Sequence, residues 1–288
     1  MPELPEVETV RRGLSELIIG RVIKSANHDN PKSFPNDPTA VKSFLIRSKV
    51  TDVRRRAKVL MIDLDTKYTL VIHLKMTGQL VYRGQTDFGA GHPNDSLVGD
   101  LPDKSTRVEI EFSDGTHLYF NDQIKFGWMR LMPTLEVPNI DFMKKVGPEP
   151  LEADFTAAEF AERFKRRANT SIKSAILDQS VIAGVGNIYA DESLWGAKIH
   201  PKRLVKTIKA AEFKKLYTEL RAVMNLAIEK GGSTDRNYVN AEGKRGSYMD
   251  FARVFRREGK PCPRCGTEII KFKAAGRGTH ICPNCQKQ

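Results

Sequence analysis

The sequence predicts an α+β chain: an N-terminal β-sandwich with a flanking helix, then a helical domain, then a small β-hairpin organised by cysteines. Three observations predict it. Alternating apolar and polar residues joined by short turns fill the stretch up to residue 133, the pattern of two-sheet β domains. Beyond residue 150 the apolar spacing changes to threes and fours, the period of helices. All four cysteines fall at the end, in PCPRCG and ICPNCQ. At 288 residues the chain exceeds one ordinary core. The expected division is 1–133, a linker at 134–150, a helical domain at 151–257 and a cysteine module at 258–288.

The chain opens MPELPEVETV. Leu4, Val7, Val10, Leu14 and Leu17 recur at helical spacing, Pro5 suits a first helical position, and Glu6 and Glu8 suit a first turn, where the helix dipole is positive. Pro2 and Glu3 are therefore expected beside a helix N-terminus. Strand-type segments follow: VTDVRRRAKVLMIDL, YTLVIHL, the pair VEIEF and THLYF around the turn SDG, and WMRLM. The Gly/Asp/Pro-rich stretch from Gly84 to Ser105 is expected to be a mobile surface loop. Prolines at 133, 138, 148 and 150 mark the linker. Thr156 with Glu159 then makes a capping box, and Phe155 with Phe160 a hydrophobic staple. An amphipathic stretch from Thr207 to Lys230 ends at Gly231-Gly232, a helix stop.

In SVIAGVGNIYADESLWG, Gly184 and Gly186 permit a tight turn and Asn187 is a good N-cap, so the helix start would offer free N–H groups to a phosphate. Such a turn also begins many ordinary helices. The cysteine pairs Cys262/Cys265 and Cys282/Cys285 each enclose two residues and stand sixteen apart, the spacing of a tetrahedral four-cysteine Zn²⁺ site on two knuckles. Two disulfides are the alternative, opposed by the reducing cytosol expected for a chain with no signal peptide before MPELPEVE. With no open ligand position, the one zinc is structural. Arg277, between glycines in AAGRGTH, is expected at the hairpin tip, where it suits a phosphate or groove contact. Offsetting the charge of the zinc thiolates is the other reading, and the two stay open.

The formal net charge is +12, and residues 251–288 hold nine Lys/Arg against two Glu. That balance favours a polyanionic partner, nucleic acid before an anionic membrane. No run approaches a membrane span, so a cytoplasmic chain with no membrane partner is expected.

Taken together, MPELPEVETVRRGL, RRRAKVL, IHLKMTG, KFG, QSVIAGVGNIYADESLW, IHP and CPRCG…CPNCQ resemble bacterial formamidopyrimidine-DNA glycosylases over nearly the whole chain. The resemblance implies an N-terminal β-sandwich, a helical domain with a helix–two-turns–helix motif, and a zinc finger. It implies excision of oxidised purines such as 8-oxoguanine and formamidopyrimidines, followed by β,δ-elimination at the abasic site. Damaged double-stranded DNA would be the partner of a monomer, with no nucleotide cofactor. It also implies roles. After loss of the initiator methionine, the Pro2 amine forms a Schiff base at the sugar; while Met1 remains, Pro2 has no free amine. Glu3 carries over as general acid/base, Glu6 as a supporting carboxylate and Lys58 as the catalytic lysine. Lys58, His73, Asn187 and Arg277 carry over as phosphate contacts, Met76 as the inserting methionine and Phe126 as the wedge. GSTDRNYVNAEGKRGSY would form a lid over the extruded base.

Three positions depart from the family pattern. Ile124 stands where an arginine normally meets the orphaned cytosine, Ser105 replaces a histidine near phosphate, and Lys75 replaces a small residue. Isoleucine cannot hydrogen-bond a base edge, so cytosine selectivity is not expected from that side chain. Rival readings are an endonuclease VIII-like enzyme for oxidised pyrimidines, a non-catalytic damaged-DNA-binding protein on this scaffold, and a zinc-ribbon RNA-binding protein. The last leaves MPELPEVE without a purpose.

Overall fold

The computed structural model describes residues 1–92, 94–233 and 248–288. It comprises two compact units: residues 1–144 with 228–248, and residues 145–227 with 249–288. Among the described residues, no helix is long and apolar enough to cross a membrane.

The first unit opens with α1 (Leu4–Ile18), whose buried stripe is Leu4, Val7, Val10, Leu14 and Ile18. The strands are β1 (Ile23–His28), β2 (Val50–Arg56), β3 (Val59–Leu64), β4 (Tyr68–His73), β5 (Gln79–Arg83), β6 (Phe88–Gly91), β7 (Thr106–Phe112), β8 (His117–Asn121) and β9 (Trp128–Pro133). A short helix α2 (Pro38–Ala40), capped by Asp37, leads into a π-helical turn before β2. The strands form two antiparallel sheets, ordered β1-β7-β8-β5-β6 and β2-β3-β4-β9. Strand periodicity explains the layering. Leu60 and Ile62 of β3 share one core with Ile110 of β7, Phe120 of β8 and Val7, Val10, Leu14 and Ile18 of α1. The alternate residues Val59 and Met61 face a second cluster with Val71 and Val137. Gly13 lets α1 close on β6: a Cβ there would lie 2.3 Å from the Phe88 ring.

Several expectations change. VTDVRRRAKVLMIDL is two strands, because Ala57 takes a left-handed backbone (φ 52°) and reverses the chain between Arg56 and Val59. The expected loop at 84–105 contains β6 and a 3₁₀ turn at Asp95–Leu97. The stretch expected as a linker holds a 3₁₀ helix (Thr134–Asn139) and α3 (Asp141–Lys145), and Val137, Ile140, Phe142 and Met143 cover the outer face of β3 and β4.

In the second unit are α4 (Ala157–Lys165), α5 (Ile172–Leu177), α6 (Asn187–Ala197), α7 (Ala210–Glu229) and the hairpin β10 (Ile270–Ala274) with β11 (Arg277–Ile281). The Thr156/Glu159 capping box starts α4, and Phe155 meets Phe160 at a centroid distance of 6.4 Å. Phe160, Phe164, Phe213 and Tyr217 join α4 to α7 as an aromatic cluster. After α7, Gly231 and Gly232 both take positive φ and end the helix. Lys173 on α5 and Asp191 on α6 form a fully buried ion pair at 2.6 Å. Lys173 Nζ also donates to Thr279 Oγ1 at 2.7 Å, and Asp191 Oδ2 accepts from the His280 backbone N–H at 2.9 Å. A charge pair with its remaining valences satisfied thus joins two helices to β11.

Candidate active site and nucleic-acid interface

Glu3 is the N-cap of α1, and Pro2 lies directly before it; both are buried, as is Glu6. The Glu3 backbone N–H donates to Glu6 Oε2 at 2.7 Å, within a capping box. Glu6 Oε1 accepts from the Ser233 N–H at 2.9 Å, so one carboxylate ties the helix start to the chain leaving α7. The expected lid lies almost wholly outside the described residues; of its ends, the Tyr248 N–H donates to the Gly232 carbonyl at 2.9 Å. Pro2 and two carboxylates therefore surround the positive end of a helix dipole.

One turn further on, Glu8 joins this helix to the next site residue. Burial works against its ionised form, but Arg11, Arg12 and Arg55 outweigh it and hold the carboxyl down to about 2. Arg55 reaches Glu8 Oε2 at 3.1 Å and donates to the Ala57 carbonyl at 3.0 Å. That bracket fixes the β2–β3 turn, on which Lys58 sits, buried.

His73 ends β4 and pairs in register with Val59, the residue after Lys58. Its Nδ1 accepts the Lys75 N–H at 3.0 Å, which leaves the ring proton on Nε2. Burial, then the charges of Lys75 and Lys58, push the imidazole pKa down to about 3. His73 is thus a neutral donor throughout the physiological range, able to bond a phosphate oxygen without titrating. Trp128, at a centroid distance of 5.9 Å, flanks the ring, and Arg130 lies 4.6 Å from the Trp128 ring.

Met76 and Phe126 stand on two loops of this unit and are 47% and 62% exposed. Ile124, on the second loop, is 40% exposed. Each of the first two follows a lysine in left-handed backbone, Lys75 (φ 53°) and Lys125 (φ 59°). Both large apolar side chains thus stand outside the core, each beside a residue in a sparsely populated backbone region. Ser105 is buried, its Oγ donating to Asp103 Oδ1 at 2.7 Å.

In the second unit, Gly186 rather than Asn187 is the N-cap of α6. Asn187 is the first helical residue, and its Nδ2 donates to the Gly278 carbonyl at 3.0 Å. The bond brings the start of α6 to the hairpin tip. There Ala275 and Gly276 both take positive φ, as a two-residue hairpin turn requires, and Arg277 opens β11 fully outward.

The ligand atoms of Cys262, Cys265, Cys282 and Cys285 all lie within 4.8 Å of one another. Tetrahedral zinc with Zn–S bonds of about 2.3 Å needs sulfurs about 3.8 Å apart, so the cluster fits the ion. Donors face the sulfurs: Trp195 Nε1 and the Cys285 N–H each lie 3.4 Å from one. Arg264 and Arg253 lie 3.8 and 4.9 Å from the Trp195 ring. The four thiolates hold one structural zinc.

Several residues that hold the site in place carried no signal of their buried bonds. Glu8, Asp122, Lys173 and Asp191 look in the sequence like ordinary surface charges, and only their burial reveals otherwise. Asp122 stands two residues before Ile124, one of the three departures from the family pattern.

Comparison with known proteins matches residues 1–129 to the formamidopyrimidine-DNA glycosylase N-terminal domain, 146–238 to its H2TH domain and 259–288 to the zinc finger found in FPG and IleRS. The formamidopyrimidine-DNA glycosylase of Pelotomaculum thermopropionicum is 42% identical, covering 100% of this chain and 99% of that protein. Lactococcus lactis Fpg bound to abasic-site DNA is 34% identical, with a TM-score of 0.87 over 99% of this chain and all of that one. MutM bound to DNA containing carbocyclic 8-oxo-G gives 34% and 0.86, over the whole of both chains. Three domain matches in order and full-length identity place the chain in the formamidopyrimidine-DNA glycosylase family.

Proposed function

We propose that this chain is a base-excision-repair glycosylase that removes oxidised purines, 8-oxoguanine and formamidopyrimidines among them, from duplex DNA and then cleaves the abasic strand. With Met1 removed, Pro2 carries a secondary amine. Its reference pKa is about 8, and the positive end of α1 favours the neutral, nucleophilic form. The amine nitrogen attacks C1′ of the damaged nucleotide. The glycosidic bond breaks, its electron pair leaves with the base, and the base takes a proton. The nitrogen then gives up its proton, and the C1′–O4′ bond breaks as O4′ takes one, which opens the ring and leaves an iminium between Pro2 and C1′. This draws electrons from C2′, so loss of a C2′ proton expels the 3′ phosphate, and a second elimination expels the 5′ phosphate.

Glu3 carries protons to and from the sugar, and Glu6 orients Glu3 by holding its backbone. Lys58 as a cation and His73 as a neutral Nε2–H donor bind phosphate oxygens. Met76 and Phe126 fill the gap left by the extruded base. In the second unit, Asn187 and Arg277 hold the backbone of the duplex, and affinity falls with salt. The protein works as a monomer in the bacterial cytoplasm and uses no nucleotide cofactor.

The observation that carries this reading is the burial of Pro2 and Glu3 at the capped start of α1. A protein that only binds DNA has no use for a nucleophile and a carboxylate hidden there. Borohydride trapping on an 8-oxoguanine:cytosine duplex, with mass spectrometry of the adduct, tests it. The expected result is one covalent adduct on Pro2. No adduct from protein whose N-terminus is confirmed as Pro2 overturns the mechanism.

A further inference from the structure

Between the two loops that carry Met76 and Phe126 lies a buried carboxylate that neither the zinc site nor the proposed chemistry uses. Asp122, directly after β8, has no exposed surface. Its Oδ1 accepts from Thr77 Oγ1 on the first loop, and its Oδ2 accepts from the Gly127 N–H on the second at 2.6 Å. Thr77 Oγ1 in turn accepts from the Ile124 N–H at 3.3 Å. The backbone of Asp122 is held as well. The Asp122 N–H donates to the Ser105 carbonyl at 2.8 Å, and buried Arg107 donates from Nε to the Asp122 carbonyl at 2.9 Å. No side chain could stand at Gly127, where a Cβ would lie 2.6 Å from Phe120 Cζ.

We infer that Asp122, through Thr77, is a positioning residue that locks the Met76 loop to the Phe126 loop, so that the two exposed apolar side chains enter the duplex as one rigid wedge. The inference rests on the reading that those side chains enter DNA at all. The backbone supports it independently. Lys75 and Lys125 both hold left-handed φ values that cost a non-glycine residue about 1 kcal/mol or more each, and such strain persists only where the surroundings over-determine it. The clasp on the adjoining residues supplies that constraint. It also explains how a wedge can carry isoleucine at position 124: the backbone N–H of Ile124, rather than its side chain, is what the clasp uses.

The test compares Thr77→Val, which keeps shape but removes the hydroxyl, with Thr77→Ser, which restores it. Met76→Ala serves as reference. The readout is 2-aminopurine fluorescence beside a tetrahydrofuran abasic analogue, together with excision of 8-oxoguanine relative to cleavage at a preformed abasic site. Thr77→Val is expected to blunt the unstacking signal and to lower relative excision about tenfold, the worth of one lost hydrogen bond, with Thr77→Ser near wild type. A purely structural role would lower both activities together and leave their ratio unchanged, which overturns the inference. If Met76→Ala changes the signal and Thr77→Val does not, the clasp is wrong. If Met76→Ala itself changes nothing, the wedge reading fails, and the clasp with it.

Discussion

The sandwich and the zinc hairpin hold their functional side chains by different means. Lys58 stands on the turn that enters β3 and His73 at the end of the neighbouring β4, in a sheet covered on both faces, so strand register and apolar burial set where they are. Arg277 stands on a two-stranded hairpin whose apolar support is Trp195, Val254, Ile269 and three of the zinc ligands themselves. A lone hairpin with so little core is marginal in water. Its position comes from the metal, from the Lys173–Asp191 network at β11 and from the Asn187 bond at the tip. A sheet fixes a site collectively. A hairpin fixes it by separate bonds, which can be removed one at a time.

Removing the zinc tests that contrast most severely. Structural zinc contributes about 10–16 kcal/mol of folding free energy to small modules. Cys282→Ser, or chelation, is expected to abolish hydrogen-exchange protection across β10 and β11 and to eliminate DNA binding, with β2, β3 and β4 still protected. Loss of protection in those strands as well would break the comparison. Next comes Asp191→Ala, which strands the Lys173 ammonium in a site with no exposure and should cost about 3–5 kcal/mol, read as a fall in Tm. Replacing both residues together with Met and Leu should recover most of it.

The most gradual effect, spread over several pH units, belongs to the sandwich. His73 has a pKa near 3 when folded and about 6.5 when unfolded, so below pH 6.5 the unfolded state binds the extra proton. Its contribution is fully present above pH 6.5 and is lost as pH falls toward 3, by about 1.4 kcal/mol per pH unit in that window. His73→Asn should flatten the stability profile of the sandwich there by this amount. Parallel profiles for the two proteins would show that burial does not hold the ring neutral.

What the sequence made legible was local. The α1 stripe, the Thr156/Glu159 box, the stop after α7 and the paired cysteines each depend on residues within one turn or one knuckle. What stayed hidden depends on partners far along the chain. IKSANH gives no clean alternation because β1 is an edge strand with a mostly exposed burial pattern, and FGAG hides β6 behind two glycines. Asn187 has the best intrinsic cap propensity in its turn, yet its amide is committed to a carbonyl ninety-one residues away. The chain reversal before Lys58 occurs at an alanine, with no glycine or asparagine to announce it. For the site, the motifs showed which residues to watch, while the brackets that hold them, Glu8 with Arg55 and Asp122 with Thr77, became visible only once burial was known.

The chain contains two tryptophans, and each unit holds one. Trp195 points its indole N–H at a zinc-ligating sulfur, and Trp128 lies against His73. The protein therefore carries two built-in fluorophores with separate loyalties. Emission from Trp195 reports the state of the metal centre, and emission from Trp128 reports the surroundings of the buried imidazole. Loading of the finger and engagement of the sandwich can be followed as two optical signals in one unlabelled molecule.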